Sequence, residues 1–165
     1  MEEHREYVLR ALRASDAEAA AALIRLAFAA QTMVTDPPPS ALRETGASVA
    51  ASLAEQDQGG IGAWIGDSLA GCVIWQVQDR GLYLGRVSVD PARGGRGIAP
   101  AMIAALEQEA RGRGLPRLLL STRLVLADNR RLFARCGFVE TAQHAHPGYA
   151  HPTFVDMEKA LAGHG

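Results

Sequence analysis

Apolar and polar positions change their period along the chain, and each change predicts an element. Residues 7–13 read as a first strand, with Leu12 and its neighbours half buried. Ser15-Asp16-Ala17-Glu18 has the spacing of a capping box, Ser then Glu three residues on, ahead of a helix through Leu23, Ile24, Leu26, Ala27 and Phe28. Thr35-Asp36-Pro37-Pro38-Pro39-Ser40 breaks it, because three prolines fix φ and remove donors. A second helix is expected over residues 41–55, with Leu42, Val49 and Leu53 inward and Arg43 and Glu44 in its first turn.

Alternation of period two follows. Gly59-Gly60 reads as a turn, residues 61–65 as a strand, and Gly66-Asp67-Ser68 as a hairpin connection. Strands at 69–77 and 82–89, joined by a turn at Asp79-Arg80-Gly81, complete an antiparallel meander. The period then returns to helical: Met102, Ile103, Leu106 and Ala110 form one stripe of a helix over 97–111, stopped at Gly112 or Gly114. Residues 117–122 read as a short buried strand, so 82–89, 97–111 and 117–122 make a right-handed parallel βαβ unit. Asp128 is placed to cap a short helix over 129–136, stopped by Gly137. Strands at 138–143 and 153–159 flank a loop carrying His144, His146, Pro147, Tyr149, His151 and Pro152. The order β α α β β β α β α β β predicts one mixed α/β domain over residues 1–165, its sheet antiparallel at the start and parallel across the middle.

Composition narrows the function. With 48% hydrophobic and 21% charged residues, the 165-residue chain reads as an ordinary globular protein. A formal net charge of −1 predicts no broad basic surface, hence no nucleic-acid partner. No apolar run approaches the roughly 20 residues that span a bilayer, so no membrane partner is expected. The charged opening Met1-Glu2-Glu3-His4-Arg5-Glu6 lacks the apolar stretch of a signal peptide. Cys72 and Cys136 sit in apolar segments and read as reduced core thiols, and a cytoplasmic location follows.

The chemistry concentrates where the period changes. Val87-Ser88-Val89-Asp90-Pro91 runs into Gly94-Gly95-Arg96-Gly97-Ile98-Ala99 and then into the helix. Strand, glycine turn and helix start build an anion site. The first helical N–H groups have no partner in their own helix and carry partial positive charge. Glycines let a phosphate approach that backbone closely. The stretch reads as the seat of a phosphorylated cofactor. Gly95-Arg96-Gly97 also begins a dinucleotide GxGxxG pattern, but Pro100 stands in place of the third glycine and a meander precedes it.

The same stretch resembles the acetyl-coenzyme A motif of the GNAT N-acetyltransferases: Gln or Arg, two residues, Gly, one residue, Gly or Ala. Leu132-Phe133-Ala134-Arg135-Cys136-Gly137-Phe138 is similar to the family's second signature, a short helix ending in Gly-Phe, and the likeness covers residues 82–139. The resemblance implies a twisted mixed sheet of about six to seven strands flanked by about four helices. It implies acetyl-coenzyme A as cofactor and acetyl transfer to the primary amine of a small molecule or peptide. Val87, Ser88 and Val89 would offer backbone to the pantetheine arm and thioester. Gly94, Gly95, Arg96, Gly97, Ile98 and Ala99 would hold the pyrophosphate. Asn129, Leu132 and Phe133 would line the cofactor's other side. Substrate would enter between the N-terminal helices and the loop 144–152, against Phe28, Glu44 and Tyr149. The sequence departs from the motif at Gly94, which takes the leading Gln/Arg place, and at Phe133, where many members have a tyrosine that protonates the departing thiol. Without gaps, Leu126 falls where many members have Asn, and Ser121 where some have a Glu base.

An alkyl ammonium has a pKa of about 10.4, so an amine attacking a thioester needs a base. Glu44 is the first choice, and Tyr83 and Ser121 follow. His144, His146 and His151 could supply a base, but they lack metal-ligand spacing and no metal site is assigned. A coenzyme A-binding sensor with lost catalysis is the alternative that Phe133 and Ser121 motivate. The sheet edges offer a route to a homodimer.

Overall fold

The computed structural model describes residues 6–31 and 33–162. The signal-peptide reading of residues 1–5 lies outside them. Seven strands form one sheet in the order β1-β2-β3-β4-β5-β7-β6. They are β1 (Val8–Ala11), β2 (Gln58–Ile65), β3 (Ser68–Gln78), β4 (Gly81–Val89), β5 (Arg117–Arg123), β6 (Val139–His144) and β7 (Phe154–Ala160). Four helices accompany them: α1 (Ala17–Ala29), α2 (Gly46–Ala54), α3 (Ile98–Gly112) and α4 (Ala127–Arg135). The sheet is antiparallel through β1–β4, parallel between β4 and β5, and antiparallel again through β5, β7 and β6. The mixed architecture expected from the pattern is present.

Alternation on β3 sorts the core onto two faces. Val73 and Trp75 join Met102, Ile103, Leu106 and Phe133, so α3 and α4 cover one face. Cys72 and partly buried Ile74 join Leu23, Ile24 and Val49 under α1 and α2. Met102, Ile103 and Leu106 are at most 2% exposed, and burying each contributes about 1.5–3 kcal/mol. Gly71 permits the close approach of α3: a Cβ there would lie 2.7 Å from Ile98 Cγ2.

Five local expectations are corrected. Gly59-Gly60 is not a turn but lies inside β2, because a Cβ on Gly59 would stand 2.4 Å from the Trp75 ring that covers it. Ser15 does not cap α1; a 3-10 turn over Ala14–Asp16 precedes it, and the Asp16 carboxylate accepts the Arg13 backbone N–H at 2.8 Å. The helix expected over 41–55 is split into a 3-10 turn, Ser40–Arg43, and α2. Glu44 between them is extended (φ −64°, ψ 140°) rather than in a first helical turn, because Thr45 and Ser48 exchange capping bonds that start α2 at Gly46. Asp128 stands in the first turn of α4, where it pairs with Arg131, while Leu126 occupies the capping position.

Candidate active site

β4 and β5 begin as neighbours and then part. Their parallel pairing holds at Leu82↔Leu118 and Tyr83↔Leu119. Beyond it the register of β4 against β3 slips between Cys72 and Ile74, and Arg86 takes φ +54°. A left-handed arginine is a bulge residue that bends the strand. The Ser88 hydroxyl donates to the Arg86 carbonyl at 3.0 Å and holds that bend from the buried side.

The parting opens a cavity of about 630 Å³, with Leu84, Gly85, Arg86 and Val87 on one wall and Leu120, Ser121, Thr122 and Arg123 on the other. Leu126, Asn129 and Phe133 line it from the side of α4. Phe28, Ser40 and Glu44 line it from the side of α1 and α2, and Ala145, His146, Pro147 and Phe154 add the β6–β7 end. The cavity is thus lined from both faces of the sheet. Two molecules can meet there, one from each side, along strand edges whose N–H and C=O groups have no neighbouring strand.

Nine of the residues singled out from the sequence share this cavity: Phe28, Glu44, Tyr83, Val87, Ser121, Leu126, Asn129, Phe133 and His146. Glu44 is held tightly. Its Oε2 accepts Arg86 Nε at 2.8 Å, its Oε1 accepts the Ser48 hydroxyl, and its carbonyl accepts Arg25 Nη1 at 2.7 Å. Arg86 Nη1 also donates to Ser40 Oγ at 3.0 Å. Ser121 donates to Asp156 Oδ1 at 2.8 Å, and His144 Nε2 meets Asp156 Oδ2 at 2.7 Å. Phe133 packs edge-on against Phe138, with ring centroids 6.1 Å apart.

Ser88, Val89, Leu132, Tyr149 and residues 94–99 stand outside the cavity lining. Leu132 packs against the core, and the Tyr149 hydroxyl donates to Asp36 Oδ1 at 2.5 Å, tying the β6–β7 loop to the proline segment. The Asp36 carboxylate, chiefly through this hydrogen bond, raises the Tyr149 phenol above its ordinary pKa. The loop histidines do not converge: His144 goes to Asp156 and the His146 ring to Thr153 Oγ1. Burial first, then Arg123, holds the His146 imidazole below its usual pKa.

The glycine turn lies on the surface at the far end of β4. Asp90 Oδ1 accepts the Ala92 N–H at 3.0 Å, and a 3-10 turn over Pro91–Arg93 leads to Gly95 (φ +78°) and Gly97 (φ +73°). Gly97 is the N-cap of α3, and no side chain caps the helix there. Nothing lies within 4 Å of where a Cβ would stand at Gly95 or Gly97. Among the described residues the N–H groups of 95–99 make no loop or turn bond to another backbone carbonyl. Arg96 pairs with Glu6, and Arg93 Nη1, buried beside Asp90 and Ser68, has no hydrogen-bond partner among the described residues. Free amides, open space and left-handed glycines suit a diphosphate, so these residues fit a nucleotide cofactor.

Sequence reasoning missed Arg86 and Arg123. Both sit in strands whose alternation carries no chemical signal, and only the bulge and the parting of β4 from β5 turn them into the cavity.

Comparison with known proteins agrees with this geometry. The sequence profile of the acetyltransferase (GNAT) family matches residues 21–138. A search of curated proteins finds no match by sequence. Among solved structures, the chain is similar to the ribosomal-protein-S18-alanine N-acetyltransferase of Escherichia coli, with TM-score 0.74, 21% identity and 96% of each chain covered. It is also similar to the PaiA N-acetyltransferase of Thermoplasma acidophilum in complex with coenzyme A, with TM-score 0.76 and 16% identity over 94% of this chain and 99% of that one. A GNAT acetyltransferase of Streptococcus pneumoniae gives TM-score 0.72 at 15% identity, covering 94% and 99% of the two chains. At such identities these likenesses speak for the fold; the profile covers well over half of the sequence, and the chain belongs to the GNAT acetyltransferase family.

Proposed function

We propose that this protein transfers the acetyl group of acetyl-coenzyme A to the primary amine of a small molecule or peptide. The observation that carries the proposal is the cavity between the parted β4 and β5, lined from both faces of the sheet. Acetyl-coenzyme A, when bound, supplies an activated acyl carbon. The amides of 94–99 would hold its diphosphate, the backbone of Val87, Ser88 and Val89 would receive the amide-bearing arm, and Asn129, Leu132 and Phe133 would close the α4 side. With acetyl-coenzyme A bound, a main-chain N–H at the bulge of β4 would serve as the donor to the thioester oxygen.

The acceptor occupies the other side, between Phe28, Glu44 and the β6–β7 loop, with Tyr149 at its rim. Glu44 takes the ammonium proton, directly or through water; Tyr83 and Ser121 are the further candidates lining the cavity. Phe133 has no proton to give, so the departing thiol would leave as thiolate or take a proton from water, which a thiol pKa of about 8.5 permits. We also propose a cytoplasmic location, which the free thiols of Cys72 and Cys136 support, and a homodimer along the exposed edge strand β6. No helix among the described residues is long and apolar enough to cross a membrane.

The test is release of free coenzyme A from acetyl-coenzyme A by the purified protein across a panel of amines. Amine-dependent release supports transfer. Binding of acetyl-coenzyme A without turnover on any amine supports the sensor reading, which Phe133 and the doubly engaged carboxylate of Glu44 favour.

A further inference from the structure

The ionisable side chains lining the cavity are Glu44, Tyr83, Arg86, Arg123 and His146. Glu44 and Arg86 neutralise each other. Arg123 is left over. It projects from the end of β5, and its Nη1 donates to the Pro37 carbonyl at 2.6 Å. That is its side chain's one hydrogen bond among the described residues, and no carboxylate there lies within ion-pair distance. The Asp36 carboxylate, held by the Tyr149 hydroxyl, acts on Arg123 only through space and does not touch it. Burial is the leading influence on Arg123 and pulls its pKa below the ordinary guanidinium value. His146 beside it, whose imidazole is held below its usual pKa by burial first and then by Arg123, offers no negative charge.

A partly desolvated guanidinium with no carboxylate in contact costs stability until an anion reaches it. Its planar fork matches a carboxylate, which can accept two parallel N–H bonds. We propose that the acceptor carries a carboxylate beside its amine, and that Arg123 receives that carboxylate while the amine reaches the bulge of β4 on the opposite wall. This deepens the acetyl-transfer reading and rests on it. The same inventory disfavours polyamines, which would meet two guanidiniums and one already paired carboxylate.

The experiment measures initial rates with acetyl-coenzyme A and matched acceptors. These are free L-amino acids, the same compounds as α-carboxamides, their decarboxylated amines, spermidine, and short peptides with acidic or neutral side chains. Each is run with wild type, Arg123→Gln and Arg123→Lys, and thermal melts confirm folding. The expected result is a wild-type kcat/KM for free carboxylates about tenfold or more above that of the amides. In Arg123→Gln the gap closes through a raised KM for the carboxylate acceptors, and Arg123→Lys restores part of it. Preference for acidic peptides over free amino acids assigns the carboxylate to a peptide. Equal or better turnover of amides or spermidine by wild type overturns the inference, as does a gap that survives in Arg123→Gln. Should no amine be acetylated, the transfer reading fails, and calorimetry of the amino acids against the coenzyme A-loaded protein decides this one. Binding abolished by Arg123→Gln supports it, and no binding or unchanged binding overturns it.

Discussion

Arg86 Nε donates to Glu44 Oε2 at 2.8 Å, and this contact ties the bulge of β4 to the extended link ahead of α2. The proposed base and the strand proposed to present the thioester are therefore fixed relative to each other. Glu44→Gln keeps an oxygen that can accept from Arg86 and an amide nitrogen that can donate to the Ser48 hydroxyl oxygen, but it cannot take a proton. If Glu44 is the base, kcat falls by about 10²–10⁴-fold while affinity for acetyl-coenzyme A changes by less than about twofold. Steady-state kinetics beside calorimetry check this; a Gln variant with unchanged kcat moves the role to Tyr83 or Ser121.

Gly97 carries a different prediction. At φ +73° an alanine costs roughly 1 kcal/mol in backbone strain but meets no neighbour. Gly97→Ala should therefore fold with a slightly lower Tm and bind acetyl-coenzyme A modestly less well. Gly97→Glu adds a negative charge at the helix start, where the diphosphate is to sit, and should weaken binding by about tenfold or more. Equal binding by the Glu variant in calorimetry would count against the turn as the phosphate seat.

The fold was legible because its pattern is consistent. The meander alternates, and the α3 stripe recurs at helical spacing. The glycine turn and the Leu132–Phe138 segment stand at the right separation on the right elements. The cavity was legible only in part. Nothing in the order Gly85-Arg86-Val87 announces a left-handed arginine, since the bulge is set by pairing with β3. Arg123 acquires its meaning from Pro37, Asp36 and Tyr149, which are distant in sequence. Gly59-Gly60 looked like a turn because glycine marks turns more often than it marks the floor under a tryptophan.

Asp16 links stability to pH. It is 8% exposed, and its carboxylate accepts Arg10 Nη1 at 2.9 Å and the Arg13 N–H at 2.8 Å. The hydrogen bond from Arg10, the leading cause, holds its pKa below the ordinary aspartate value. A depressed folded-state pKa gives stability that is present above the unfolded value, about 3.9, and lost as pH falls through the folded value. Asp16→Asn should cost about 1–2 kcal/mol at pH 7. Urea titrations should show that gap shrinking below about pH 4. A gap independent of pH would contradict the assignment.

The thiols give a readout of packing. Burial pushes the Cys72 thiol up to about 12, and it also raises Cys136, partly offset by Lys159 and Arg135. At pH 8 about one Cys72 in ten thousand is thiolate, so a disulfide reagent should leave Cys72 untouched and react slowly with Cys136. Both thiols should react at once after denaturation. Fast native labelling of Cys72 would mean that the face between α1 and the sheet opens readily.

The most direct measurement is a crystal structure of the protein with acetyl-coenzyme A. The account predicts the thioester between Leu84–Val87 of β4 and Leu120–Arg123 of β5, with the diphosphate on the amides of 95–99. A nucleotide bound elsewhere, or β4 and β5 zipped together with the cofactor excluded, would contradict it.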